Sequence, residues 1–163
     1  MIGFDNIENH TVAMDHFLLK WRFTEEKYSV LSVFDLKQLK PLDEEASFFL
    51  NNFITESNLH EEVPFTKDFF KTEDWIGFKE NGEAEIKKWL IKKGLPFDKK
   101  VYLSWQDDIG MIAPWELVVK YFDDFYYGSS DDLTVFDESL NWAVLFFHED
   151  IVYFGTNEEY KVD

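Results

Sequence analysis

Six consecutive apolar residues, Trp142–Phe147 (WAVLFF), constrain this chain more than any other stretch. In an extended strand Trp142, Val144 and Phe146 face one way and Ala143, Leu145 and Phe147 the other, so neither face can be given to water. The run is therefore expected as an interior strand of a sheet. Similar runs supply its neighbours: Leu133–Phe136 before it and Ile151–Phe154 after it. Asp137–Asn141 and His148-Glu149-Asp150 are of the right length for the connecting turns. Upstream, Val101–Trp105 is β-branched and aromatic, and the turn-forming Gln106-Asp107-Asp108-Ile109-Gly110 stops it.

Helical spacing predicts three helices around these strands. Pro114 fits a first helical turn, and Trp115, Val118, Val119, Phe122 and Phe125 make an apolar stripe over 114–125. Asp43 is a good N-cap for a helix over 43–57, with Ala46, Phe49, Leu50, Phe53 and Ile54 as its buried face. A third helix over 82–93, capped by Asn81, places Glu83 and Glu85 in the first turn and lysines towards the end, and Gly94 and Pro96 stop it. Phe17–Phe23 (FLLKWRF) alternates with a period of two and is expected as a fifth strand. Residues 24–40 read as loop with a short helical turn. Residues 58–82 read as a covering loop with at most a short helix near 67–71. The expected architecture is α+β: one domain over 1–163, a mostly antiparallel sheet of about five strands, and about three helices packed largely against one face.

Charge limits the function. The chain carries 16 basic and 33 acidic residues, a net charge of −17. Residues 1–100 hold 14 basic against 19 acidic residues, and residues 101–163 hold 2 against 14, so the acid is concentrated on the strand-rich part. Such a field repels phosphates, and the one arginine, Arg22, offers little for bidentate phosphate contacts, so nucleic acid is not an expected partner. A basic protein surface is. With no cysteine, disulfides, thiolate metal sites and cysteine nucleophiles are excluded. The N-terminal residues are acidic where a signal peptide is basic, and the longest apolar runs are far below the roughly 20 residues that span a bilayer. A cytoplasmic protein with no membrane partner is expected.

Among chemical motifs, HExxH, GxSxG, GxxxxGK[ST] and GxGxxG are all missing, and His148-Glu149-Asp150 is read as a hairpin. Three acidic pairs stand out: Asp107/Asp108, Asp123/Asp124 and Asp131/Asp132. One use for them is a hard cation, Mg²⁺ or Ca²⁺, in a metal-dependent hydrolase, although the spacing of a calcium-binding helix-loop-helix is missing. Another is protein recognition, as an adaptor, a nucleic-acid mimic or an inhibitor. Together with Glu116 and among Trp105, Trp115, Tyr121, Tyr126 and Tyr127, the pairs interleave carboxylates with aromatic anchors, which suits a basic protein site.

The stretch Trp105–Gly155 (WQDDIGMIAPWELVVKYFDDFYYGSSDDLTVFDESLNWAVLFFHEDIVYFG), about a third of the chain, resembles the small acidic immunity proteins encoded beside bacterial polymorphic toxins, including those of contact-dependent growth inhibition. The similarity lies in the succession PW, DDF-Y, SSDD, apolar strand, W, apolar strand, HE and aromatic strand. It implies a non-enzymatic inhibitor without cofactor or metal, which binds a cognate toxin C-terminal domain, often a nuclease, and covers its active site. The candidate toxin-binding residues are then Asp107, Asp108, Glu116, Asp123, Asp124, Tyr126, Tyr127, Asp131 and Asp132.

Overall fold

A computed structural model describes residues 1–158; the last five residues of the expected 1–163 domain lie outside the described residues. The fold is α+β as expected, but its one antiparallel sheet has seven strands and there are six α-helices among the described residues, where the sequence predicts about five strands and about three helices. The strands are β1 (Lys40–Pro41), β2 (Thr72–Gly77), β3 (Lys100–Gln106), β4 (Ile109–Pro114), β5 (Leu133–Phe136), β6 (Trp142–Phe147) and β7 (Ile151–Thr156), in the order β1-β4-β3-β5-β6-β7-β2. The helices are α1 (Trp21–Thr24), α2 (Val33–Lys37), α3 (Glu44–Glu56), α4 (Glu83–Ile91), α5 (Trp115–Lys120) and α6 (Phe122–Phe125). Among the described residues no helix is long and apolar enough to cross a membrane.

β6 lies between β5 and β7, and both of its faces are used as its sequence requires. Trp142, Val144 and Phe146 enter one hydrophobic core, Ala143 and Leu145 a second, and Phe147 packs against the second. The first core lies under α4, α5 and α6, with Phe23 of α1 and Phe17 from the turn before it. The second lies under α3, whose Ala46, Leu50 and Ile54 cover β3 and β4, and under the 58–71 loop, which adds Leu59, Phe65 and Phe70. The sheet is thus covered on both faces, and the expectation of helices largely on one face is corrected. Two apolar faces on β6 need two covers.

α3 begins as its sequence predicts: Asp43 Oδ1 accepts a hydrogen bond from the Ala46 N–H at 2.8 Å. α4 spans the expected segment, but Gly82 is its cap residue, and Asn81 instead donates to the Gly77 carbonyl at 2.9 Å. Four further expectations are corrected, while the covering loop is found over 58–71. Phe17–Phe23 is not a strand: a tight turn leads into α1, which buries Phe17 and Phe23 stacked at 6.5 Å and turns Arg22 inward. The turn after β3 is only Asp107-Asp108, and IGMIAP then pairs back along β3 as β4, with a register shift near Gln106. Its residues alternate between the cores, Met111 and Ala113 into the first and Ile112 into the second. The helix expected over 114–125 starts at Trp115 and breaks at Tyr121 (φ −119°, ψ 29°), whose hydroxyl donates to Asp35 instead of following the helical face. Residues 58–71 cover the sheet as a loop, and Asp68, at φ 64°, interrupts any helix near 67–71. The segment after them forms β2, an edge strand paired with β7 over six residues.

Candidate functional site

The strand directions bring most candidate acids to one end of the sheet. β3 runs from Lys100 to Gln106, β5 pairs antiparallel with Ser104 opposite Thr134, and β6 and β7 continue the alternation. The Asp107-Asp108 hairpin, Asp131-Asp132 at the entry to β5, and the His148-Glu149-Asp150 turn between β6 and β7 therefore share an end. The opposite end carries Lys99 and Lys100 entering β3 and Asp137 leaving β5. There charge is compensated in part: Lys99 pairs with Asp137 at 3.0 Å and Lys100 with Glu8 at 2.8 Å, while Asp98 and Glu138 make no ion pair among the described residues. At the acidic end, among the described residues, Asp107, Asp108, Glu149 and Asp150 have no ion-pair partner. Asp132 meets only His148, whose backbone N–H donates to Oδ1 at 2.9 Å and whose Nδ1 lies 2.9 Å away.

Asp131 has a different task. It takes Arg22 in a bidentate pair, Nη1 at 2.5 Å and Nη2 at 3.1 Å, and accepts the Tyr127 N–H at 2.9 Å. The side chains of Arg22 and Asp131 are only 5% and 12% exposed, so the pair is interior structure and Asp131 is not free to meet a partner. Arg22 also donates to the Phe125 carbonyl at 3.3 Å and lies over the Tyr127 ring at 4.2 Å. It fastens α1 to the acidic loop.

The proposed aromatic anchors are spent on the fold. Tyr126 is buried and its hydroxyl donates to the Phe147 carbonyl, and burial raises its pKa. Trp105 donates to the Phe125 carbonyl at 2.8 Å, and Trp115 packs edge-on against Trp142 at 6.1 Å between ring centres. Tyr121 is held by Asp35. Tyr127 is half-buried, yet its ring joins Trp21 at 5.3 Å and the exposed Tyr28 at 6.4 Å in a small aromatic surface. Beside it on α6 stand the exposed Asp123 and the half-buried Asp124. Burial raises both pKa values, with Glu83 adding to the effect on Asp123; Asp123 adds to that on Asp124, which rises to about 6. Glu116 is exposed on α5. The three acidic pairs do not converge, and among the described residues no group of three His, Cys, Asp or Glu side chains could hold a metal ion.

Next to the acidic end, on the α3 side of the sheet, a cleft of about 460 Å³ opens between α3, the 58–61 loop, β3 and β5. It is formed in part by alternation. Tyr102 and Phe136 are opposite each other in the second core, so their neighbours two residues on, Ser104 and Thr134, face the same side and line the cleft floor. Asn51, Thr55 and Asn58 line its α3 wall, and Glu61 and Asp132 stand at it as carboxylates. His60 is held by the Pro64 carbonyl at Nδ1 (2.7 Å) and the Thr134 hydroxyl at Nε2 (3.0 Å), and burial lowers its pKa. Reading the sequence missed this cleft. The available signal was a single hydroxyl in each of two otherwise apolar strands, Ser104 in VYLSW and Thr134 in LTVF.

Comparison with protein-family models, with curated proteins and with solved structures found no match.

Proposed function

We propose that this chain is a toxin-neutralising immunity protein, without catalytic activity or cofactor of its own, which binds a basic toxin domain through the acidic end of its sheet. The observation that carries this reading is the uneven compensation of charge. At one end of the sheet the lysines entering β3 neutralise Asp137 and Glu8, leaving Asp98, Glu116 and Glu138 unpaired, whereas at the other Asp107, Asp108, Glu149 and Asp150 all lack an ion-pair partner among the described residues. Leaving like charges together costs stability through self-repulsion, and a basic partner relieves it. The toxin-like partner and its nuclease character come from the resemblance over Trp105–Gly155, and the charge supports a basic partner by a partly independent route; the cytoplasmic site of action rests on the acidic N-terminal residues and the short apolar runs. The interface so drawn comprises Asp107, Asp108, Asp132 and the 148–150 turn, with Asp123 and Asp124 as flanking acids; Glu116, whose N–H donates to the Phe97 carbonyl at the lysine end, falls outside it. Asp131 and Tyr126 serve the fold.

The test uses the toxin domain encoded beside this chain, with association and dissociation followed at several salt concentrations. Association is expected to slow as the Debye length falls to about 8 Å, while dissociation changes little. Asp107→Asn with Asp108→Asn is expected to slow association further at low salt, with the melting temperature unchanged. An association rate that ignores both salt and the double substitution overturns the placement. Absence of any complex overturns the immunity reading.

A further inference from the structure

The acidic end explains attraction but offers no hold, because its turns are exposed and flat contacts between exposed charges are weak. We propose that the cleft beside it is a receptor for a single guanidinium or ammonium group, presented on a side chain of the basic protein partner; this rests on the binding reading above.

Three features of the cleft select a cation. First, its free charged groups are carboxylates, beside the side-chain amides of Asn51 and Asn58, which can donate or accept. Glu61 makes no ion pair among the described residues, and Asp132 has one oxygen, Oδ2, with no hydrogen bond. Second, Ser104 is 4% exposed, lines the floor, and its hydroxyl has no hydrogen-bond partner among the described residues. Ser47, also buried and unpartnered, does not line this cleft. Unlike the Ser47 oxygen, that of Ser104 opens to the cleft, where an occupant can reach it. Third, His60 does not compete. Its Nδ1 faces a carbonyl and must donate; Nε2 then accepts from Thr134, which makes the ring the neutral tautomer and leaves the Thr134 oxygen lone pairs free to accept. Burial, which lowers the His60 pKa, favours the same neutral state.

An occupant held here would donate to Asp132 and Glu61 at the mouth and to Ser104 and Thr134 at the floor. A guanidinium carries five donors in a planar fork and brings a full charge to the two carboxylates, which a neutral amide lacks. Because the group would be desolvated among its partners, losing them is expected to act on dissociation, in contrast to the rim acids at 107 and 108.

The experiment has two arms. In the first, the full chain is titrated with a short capped peptide containing one arginine and with the same peptide containing glutamine, and backbone amide resonances are followed. The arginine peptide is expected to shift residues 51, 61, 104, 132 and 134, the glutamine peptide not; Glu61→Gln with Asp132→Asn abolishes the shifts, and Asp107→Asn with Asp108→Asn leaves them. In the second arm the Glu61→Gln/Asp132→Asn variant, its melting temperature checked, meets the toxin domain. It is expected to dissociate about tenfold faster with association little changed. An arginine peptide that shifts no cleft residue overturns the cleft as a cation receptor even if the toxin domain binds. A toxin domain that does not bind the native chain, with the peptide shifts intact, overturns the immunity reading and leaves the cleft standing. Wild-type dissociation for the double variant removes the cleft from the interface.

Discussion

Asp131→Asn is expected to be the most damaging single-atom exchange among the candidate acids, although the sequence places Asp131 in a solvent-facing acidic run. Its carboxylate holds both Arg22 Nη atoms and the Tyr127 N–H, and the Arg22 side chain is 5% exposed. Removing one charge from a buried pair strands the other, which costs about 3–5 kcal/mol. Asparagine keeps one oxygen that can serve Tyr127 or one Nη, so the loss belongs at the lower end, about 3 kcal/mol. For a domain of this size each kcal/mol moves the melting temperature by about 2–4 °C, which gives a fall of about 6–12 °C. The neighbouring Asp132→Asn is the control: its side chain is 53% exposed, and it should stay within about 0.5 kcal/mol of the native chain. Urea unfolding at pH 7, with calorimetric melting as a second probe, measures both. If Asp131→Asn costs less than about 1 kcal/mol, the pair is not interior structure, and Asp131 returns to the list of residues free to meet a partner.

Tyr126→Phe removes one of two donors to the Phe147 carbonyl, which keeps the Asp150 N–H, so it should lower stability by about 0.5–1.5 kcal/mol and leave toxin dissociation unchanged; denaturant unfolding and binding kinetics check the two halves. Leu50→Ala empties a fully buried position where α3 meets the sheet and should cost about 2–5 kcal/mol by the same unfolding assay. Asp124 has its pKa raised to about 6, so the folded chain holds that proton more tightly than the unfolded one. Its contribution favours folding below the ordinary carboxylate pKa and is lost as pH rises through about 6. Asp124→Asn should therefore raise the melting temperature at pH 8 and leave it unchanged at pH 4; an equal effect at both would refute the assignment.

How far the fold can be read in the sequence depends on whether local pattern and tertiary partner agree. Leu133–Phe136 and Trp142–Phe147 match β5 and β6 residue for residue, since a short apolar run between turns has few other uses. α3 follows from its cap and stripe. The misreadings lie where a distant partner decides. FLLKWRF alternates as a strand would, but Arg22 is drawn inward by Asp131, 109 residues away, and the segment turns into α1 around it. IGMIAP reads as a turn leading into a helix until β3 is set beside it. β2 is nearly all exposed and has no alternating buried face to mark it; it is fixed by the ladder to β7 and by Asp74, which takes Lys93 and the Trp89 indole of α4.

The charge of residues 101–163 is plain in the composition, but composition cannot divide acids that are used from acids that are left over. Sheet topology makes that division. Lys99 and Lys100 come just before the strand-rich part, and because β3 starts with them they fall at the end opposite the acidic turns, where they pair with Asp137 and Glu8. The one arginine crosses to the acidic end and is consumed by Asp131. What remains for a partner is then narrower than the acidic pairs suggest: one hairpin tip, the exposed half of the Asp131-Asp132 pair, and the turn at 148–150. The aromatic residues divide in the opposite sense. Those nearest the acids in sequence, Trp105, Trp115 and Tyr126, lie in the core, so any anchoring has to come from a different kind of contact. A cleft whose free charged groups are carboxylates, set beside an end whose acids lack ion-pair partners among the described residues, is such a contact. In it the partner supplies the long side chain, and this chain supplies the receptor.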